Sequence, residues 1–369
     1  MENAEPVWNE QTAWRLDSAA IVRIGDMDGP AEYQFHRVVG SLKLRSGEIV
    51  VANAGSAELR FYDISGKHIR SAGRTGEGPG EYGFLRFLRR FGSDSLITWD
   101  ARFDRGTILS SNGSFGRTFM RQRMRGFTHF VDGFPDGALL GFSEGSEESP
   151  VEAVSLIKFQ SAGSIRADRS LLIRVDQRGH VHEIGKFFVT ETFAHPDGGT
   201  ASLPFARRGV AAAAHDAVYF GSAESFEIRR FTLTGQLNQI IRTQRPNAPL
   251  TRSMITEYIE TSLGRMKNPA ARADWQRRYS EMTFPETIPA FSDLVVDPAG
   301  NLWVGDYHDF GETQPHWTVF DRAGRLLGTL DVPANLMIHD IGADYVLGRT
   351  LDGFAVERIA LYRLLKPGD

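Results

Sequence analysis

VVGSLKLRSGEIVVANAGSAELRFYDISGKHIRSAG, residues 38–73, decides the fold. Four short runs rich in β-branched, apolar and aromatic side chains are separated by Ser-Gly and Asn-Ala-Gly punctuation. Runs of this length bounded by Gly, Ser and Asn read as strands joined by tight turns. The spacing predicts strands at 39–44, 48–52, 58–63 and 67–72, with turns at Ser46-Gly47 and Ser65-Gly66.

The same pattern recurs along the chain. FSDLVVDPAGNLWVGDYHDFGETQPHWTVFDRAGRLLGTLDV, residues 291–332, carries the turns Asp297-Pro298-Ala299-Gly300 and Asp321-Arg322-Ala323-Gly324. Asp at the first position, Pro at the second and Gly at the last suit type I turns. Weaker copies occupy 87–120, 127–185 (with the turn Phe134-Pro135-Asp136-Gly137), 209–242 and 337–365. The last supplies only three strands, and residues 14–25, WRLDSAAIVRIG, are a lone strand that completes it. Repeats that each yield one four-stranded sheet predict an all-β fold, a six-bladed β-propeller forming a single domain over 1–369. Pairing the N-terminal strand with the last copy closes the ring and removes exposed edges. Residues 249–284 break the pattern with apolar side chains near helical spacing and Asn268-Pro269, an N-cap followed by proline, so a two-helix insertion is expected there.

Composition excludes several function classes. The absence of cysteine rules out disulfides, thiolate zinc sites, iron–sulfur clusters and a cysteine nucleophile. A net charge of −4 gives no electrostatic basis for binding nucleic acid or an anionic membrane. No apolar run reaches the roughly 18–20 residues of a membrane helix, so no integral membrane segment is expected. The opening MENAEPVWNE lacks the basic and apolar regions of a signal peptide. The protein is expected to be periplasmic or extracellular with its signal removed, and cytoplasmic otherwise. Neither G-x-S-x-G nor H-E-x-x-H occurs, which leaves serine hydrolase and zincin readings without support.

VVDPAGNLWVGD, TVFDRAGRLL and EIVVANAGSAELRFYDISGKHI resemble NHL-type repeats, and GRTGEGPGEY (73–82) is similar to a hallmark loop of a bacterial family of six-bladed β-propeller proteins. The resemblance implies an exported propeller and assigns it no settled activity. Gluconolactonase-like six-bladed enzymes are similar in holding a metal at the axis with carboxylate and amide side chains.

Strand alternation puts the loops after second strands on the same face as the loops between sheets. That face is expected to gather Asn53, Asp100, Glu144, Ser222, Asp306 and Arg349 from second-strand ends, and His36, Arg90, His129, Arg208, Asp293 and His339 from first-strand starts. Oxygen ligands for a divalent cation such as calcium could come from Asn53, Asp100, Glu144, Asp293 and Asp306. A zinc site could use His36, His129 and His339. A ligand site could use Asn53, Asp100, Asp306 and Arg349 together with Arg74 and Glu77 of the glycine-rich loop. In the structural reading, Arg74 pairs with Glu77 or Glu81 and pins the loop. The leading function is a non-enzymatic propeller binding a protein partner or small molecule at its channel mouth. The alternative is a metal-dependent, lactonase-like hydrolase or lyase with an axial cation.

Overall fold

A computed structural model describes residues 1–92, 95–122, 126–144, 164–195, 200–307 and 316–367. Among these residues, six sheets, antiparallel but for one short edge strand, follow one another along the chain. Sheet I holds Val38–Lys43, Ile49–Asn53, Glu58–Tyr62 and His68–Ala72. These strands lie within a residue or so of the spans expected from the sequence. Sheet II holds Leu85–Phe91, Ser95–Asp100, Arg105–Ser110 and Phe115–Met120. Sheet III holds Thr128–Gly133, Leu139–Ser143, a long hairpin of Ile165–Val175 and Val181–Ala194, and Thr200–Ser202. Sheet IV holds Val210–Ala213, Ala217–Gly221, Glu227–Thr232 and Leu237–Thr243, and the N-terminal Glu2–Asn3 adds to its outer edge in parallel. Sheet V holds Phe291–Val296, Leu302–Asp306, His316–Phe320 and Leu326–Asp331. Sheet VI takes Leu336–Ile341, Tyr345–Leu351 and Glu357–Leu365 from the end of the chain, and its fourth strand, Arg15–Ile24, from the beginning.

Burial explains the strand patterns. Second strands such as IVVAN in sheet I are buried at every position because both faces of the sheet are covered. They therefore read as continuous apolar runs. The outermost strand HIRSA alternates between half-buried and exposed positions. The turn aspartates work as expected: Asp297 Oδ1 accepts from the Ala299 and Asn301 amides at 2.9 Å, and Gly300 closes that turn at φ +86°. This is the left-handed region that glycine enters without steric cost.

The core is divided into apolar layers, each lying between two sheets. Leu42, Val50 and Phe61 of sheet I pack with Leu88 and Leu96 of sheet II. Trp99 of sheet II meets Phe130 of sheet III edge-on at 4.6 Å. Phe142 joins Val218 and Phe220 between sheets III and IV. Tyr219 and Ile228 join Phe291 and Phe320 between IV and V, and Trp303 and Val319 join Val346 and Tyr362 between V and VI. Val22, Ile24 and Leu347 of sheet VI pack against Ile49, Val51 and Tyr62 of sheet I. Sheets layered in this way are the architecture of a β-propeller.

The insertion is helical, as expected: α1 spans Arg252–Gly264 and α2 spans Pro269–Glu281. Asn268 Oδ1 caps α2 by accepting from the Ala270 amide at 2.9 Å. Leu263 and Tyr279 of the pair bury against Phe193 and Leu203, near the end of sheet III. Among the described residues, no helix is long and apolar enough to cross a membrane.

Ile24 is 1% exposed in the N-terminal strand of sheet VI. Ile24→Ala should cost about 2–5 kcal/mol, the usual range for emptying a buried aliphatic site, measured by urea unfolding. A loss under about 0.5 kcal/mol, typical of an exposed position, would show that this strand does not belong to the core.

Candidate functional site

Of the expected polar ligands, Asn53 and Asp100 hold backbone amides, while Arg349, Asp306 and Asp293 meet other side chains. Asn53 is buried; its Oδ1 accepts from the His36 amide at 2.8 Å and its Nδ2 donates to Ser56 at 2.8 Å. Asp100 is 0% exposed and accepts four amides, from Gly83 (2.6 Å), Phe84 (3.2 Å), Arg102 (2.8 Å) and Phe103 (3.2 Å). Arg349 donates to Glu357, whose other oxygen accepts from the Val38 amide at 2.9 Å. Arg245 holds Asp306 bidentately at 2.7 and 2.9 Å. Asp293 accepts from Ser292 at 2.6 Å, while Glu144, His36, His129 and Arg208 are exposed.

Two placements differ from the sequence reading. Arg90 and His339 do not start their strands. They lie late in Leu85–Phe91 and Leu336–Ile341, at the opposite end of the first strands from His36 and His129. The three histidines therefore do not converge, and His339 Nδ1 instead meets Ser41 Oγ at 3.0 Å. Among the described residues, no three His, Asp or Glu side chains come together in a group that could hold a metal.

That opposite end opens into a cavity of about 560 Å³ lined by the first strands of all six sheets. Its charged side chains are cross-linked. Asp340 Oδ2 accepts from the Lys43 amide, Arg90 and the Tyr345 hydroxyl at 3.0, 3.0 and 2.8 Å, tying sheets VI, I and II. Asp132 accepts from Arg89 at 3.0 Å and from the Ala213 amide at 2.9 Å, tying sheets II, III and IV. At the rim, Arg230 (3.0 Å) and Arg322 (3.3 Å) share Asp216. Burial pushes the Asp216 carboxyl up, but these two guanidiniums outweigh it and hold it below the usual carboxylate range. His215 stands exposed beside them. No short motif marks these groups, because they come from six separate repeats and meet only when the sheets assemble.

In the glycine-rich loop 73–82 one of the two expected pairings forms, and a further arginine joins it. Arg74 pairs with Glu81 rather than Glu77, at 2.7 Å, but its side chain is 79% exposed. Glu81 also accepts from the Gly78 amide at 2.8 Å; that bond first, and Arg74 second, hold its carboxyl below the usual range. The deeper tie is Arg105 of sheet II, which donates to the Glu77 and Glu81 carbonyls at 2.7 and 2.6 Å. Tyr82 anchors the end of the loop, fully buried, with its hydroxyl 3.0 Å from Thr98 and its pKa pushed up to about 12 by burial.

No protein-family model and no curated protein sequence matches the chain. Among solved structures, the chain is similar to a member of the duf4221 family from Bacteroides vulgatus, at TM-score 0.51 and 8% identity over 97% of this chain and 100% of that one. It is also similar to virginiamycin B lyase from Staphylococcus aureus (TM-score 0.45, 9% identity, 96% and 100% covered) and to a gluconolactonase from Xanthomonas campestris (TM-score 0.43, 14% identity, 90% and 87% covered). At such identities the first likeness speaks for the fold alone, and the other two are too distant to carry an argument.

Two outcomes follow from this geometry. Arg105→Ala should destabilise the fold by about 1–3 kcal/mol in denaturant melts, because two carbonyls lose charged donors, whereas Arg74→Ala should stay within about 0.5 kcal/mol, as for an exposed ion pair. The reverse order would make Arg74 the clamp. Burial first, then the charges of Arg89 and Arg349, hold His339 down to about 3 from an ordinary 6.5. Between those values the unfolded chain binds a proton that the folded chain does not. Stability should therefore fall as pH drops through this window, by up to about 1.4 kcal/mol per pH unit. His339→Gln should flatten that slope in melts recorded from pH 7 to pH 4, and an unchanged slope would assign it to other groups.

Proposed function

We propose that the six sheets are the blades of a closed six-bladed β-propeller, fastened by the N-terminal strand, and that the protein is a non-enzymatic binding module whose axial cavity takes a polar small molecule. The apolar layers linking each sheet to the next, and the last to the first, support the closed ring. The observation that carries the binding reading is the cavity of about 560 Å³ itself, which falls within the roughly 300–1,000 Å³ of small-molecule sites. Its walls are held rigid by cross-sheet ion pairs, so the site is formed before a ligand arrives. Little ordering cost then remains to be met on binding. The mixed charges of Arg230, Arg322 and Asp216 at the rim suit a ligand with both donor and acceptor groups.

The lactonase-like alternative needs an axial cation, calcium or zinc. The described residues offer no convergent set of three ligands for it. Elemental analysis of the purified protein separates the two readings. Stoichiometric metal, with hydrolysis of lactones that is lost on chelation, would replace the binding reading with the enzymatic one. On the binding reading, a thermal-shift screen of polar metabolites should find a ligand adding about 2.7 kcal/mol at a hundredfold excess over Kd. Ile338→Trp, which places an indole in the cavity wall, should abolish the effect. A ligand whose shift survives that substitution binds elsewhere and removes the cavity from the proposal.

A further inference from the structure

We propose that the loop-bearing face, opposite the cavity, carries an oxyanion site between sheets I and II, in which Arg37 and Arg86, flanking Phe84, and the nearby Arg102 bind a phosphate or dicarboxylate group. Phe84 follows the glycine-rich loop after Gly83. The Arg37 guanidinium lies 4.8 Å from its ring centroid and that of Arg86 lies 5.0 Å away. The stem of Arg102 packs beside the neighbouring Gly83, where an added Cβ would come within 2.7 Å of its Cδ, and its guanidinium lies 5.6 Å from the centroid of Phe103. Two cations thus flank Phe84, and a third lies on the adjoining turn that Asp100 ties to it.

The cluster lacks the acids that many other arginines in this chain are given. Arg60, Arg70, Arg89, Arg90, Arg207 and Arg245 each pair with a carboxylate. Acids are not scarce, at 46 against 42 Lys and Arg. Yet Arg37, Arg86 and Arg102 are all exposed and, among the described residues, none of the three guanidiniums has a salt bridge or a hydrogen-bond acceptor. Ring faces offset part of the repulsion between like charges, and the remaining positive potential attracts an anion. Guanidinium forks are the side chains best matched to carboxylate and phosphate oxygens.

The backbone beneath these side chains is fixed, which separates the cluster from a mobile surface. The four amide bonds to buried Asp100 hold the Gly83–Phe84 and Arg102–Phe103 peptides. Arg37 sits at φ +59°, a conformation side-chain-bearing residues seldom adopt, and its carbonyl accepts from the Ala54 amide at 3.1 Å. Such strain persists where the surroundings enforce it, and it concentrates at functional positions. The charge of Arg86 reaches the first strand of sheet III, where, after desolvation, it is the second cause that lowers the pKa of His129.

Calorimetric titration of the intact protein at low ionic strength tests the site, with inorganic phosphate, pyrophosphate and succinate as probes. One-to-one binding of at least one probe is expected, and the preference between phosphate and succinate identifies the ligand group. Arg37→Gln and Arg86→Gln should each weaken that binding at least tenfold with thermal melts unchanged, because both side chains are exposed. Arg15→Gln, on the outer strand of sheet VI, should leave it unaltered, as should the cavity-blocking Ile338→Trp. Absence of saturable binding by the wild type overturns the proposal. So does a loss on Arg15→Gln equal to that on Arg86→Gln, which would mark diffuse surface charge.

Discussion

The first strand of each sheet has a ladder partner on one side only, and the amides it turns away from that partner must be met by side chains if they are buried. This requirement organises the polar chemistry of the protein. The first strands of sheets I, II, III, V and VI each contain a register shift against the second strand, where the ladder is interrupted. Around these points the side chains of Asn53, Asp100, Glu357, Asp132 and Asp340 accept amides from His36, Gly83 and Phe84, Val38, Ala213 and Lys43. A buried amide left without an acceptor costs about 1–3 kcal/mol, so Glu357, Asp340 and Asp132 help fix sheet VI to I and sheet III to IV, while Asn53 and Asp100 fix the segments that lead into sheets I and II.

The same requirement explains why the acids and amides at equivalent positions do not, among the described residues, converge in a group that could hold a metal. A cation site needs several oxygens with free lone pairs aimed at one point. Here Asp100 has given its oxygens to four amides and Asp306 has given both to Arg245. The arginines show the converse. Where a carboxylate is already saturated by backbone, a cation placed nearby must look elsewhere, and Arg102, whose own amide is bound by Asp100, has its guanidinium over the Phe103 ring with no carboxylate partner among the described residues.

The fold was largely legible in the sequence because turn chemistry and strand period are local signals. Ser65-Gly66 and Asp297-Pro298-Ala299-Gly300 announce hairpins, and Asn268-Pro269 announces a helix, without reference to the rest of the chain. The extension of sheet III was less legible. The strands Ile165–Val175 and Val181–Ala194 carry charged residues at many positions, since much of that hairpin stands outside the core. Site residues were legible only as to which end of a strand they occupy, and the placement failed where a strand began earlier than supposed, as for Arg90 and His339. Partnership was not legible. Nothing within a few residues of Arg105 or Asp340 indicates that one will bind the carbonyls of residues 77 and 81 and the other an amide at residue 43.

The two ends of the first strands are built from different kinds of connection, and this divides their roles. Turns from first to second and from third to fourth strands are short and closed by Asp and Gly, as at residues 63–67, 297–301 and 321–325. They leave little freedom, and the cavity they frame is braced by Asp132, Asp340 and Asp216. The other end receives the connections between sheets, including loop 73–82 and the long span 244–290 with α1 and α2. Sequence can change or lengthen there without disturbing a ladder, since only the ends of each connection are fixed. A rigid, internally neutralised pocket on one face and an exposed arginine cluster on the other therefore follow from the same construction. Where short turns force charges together they must pair, and where long connections hold them apart on fixed backbone, a charge can remain unpaired without unfolding its support.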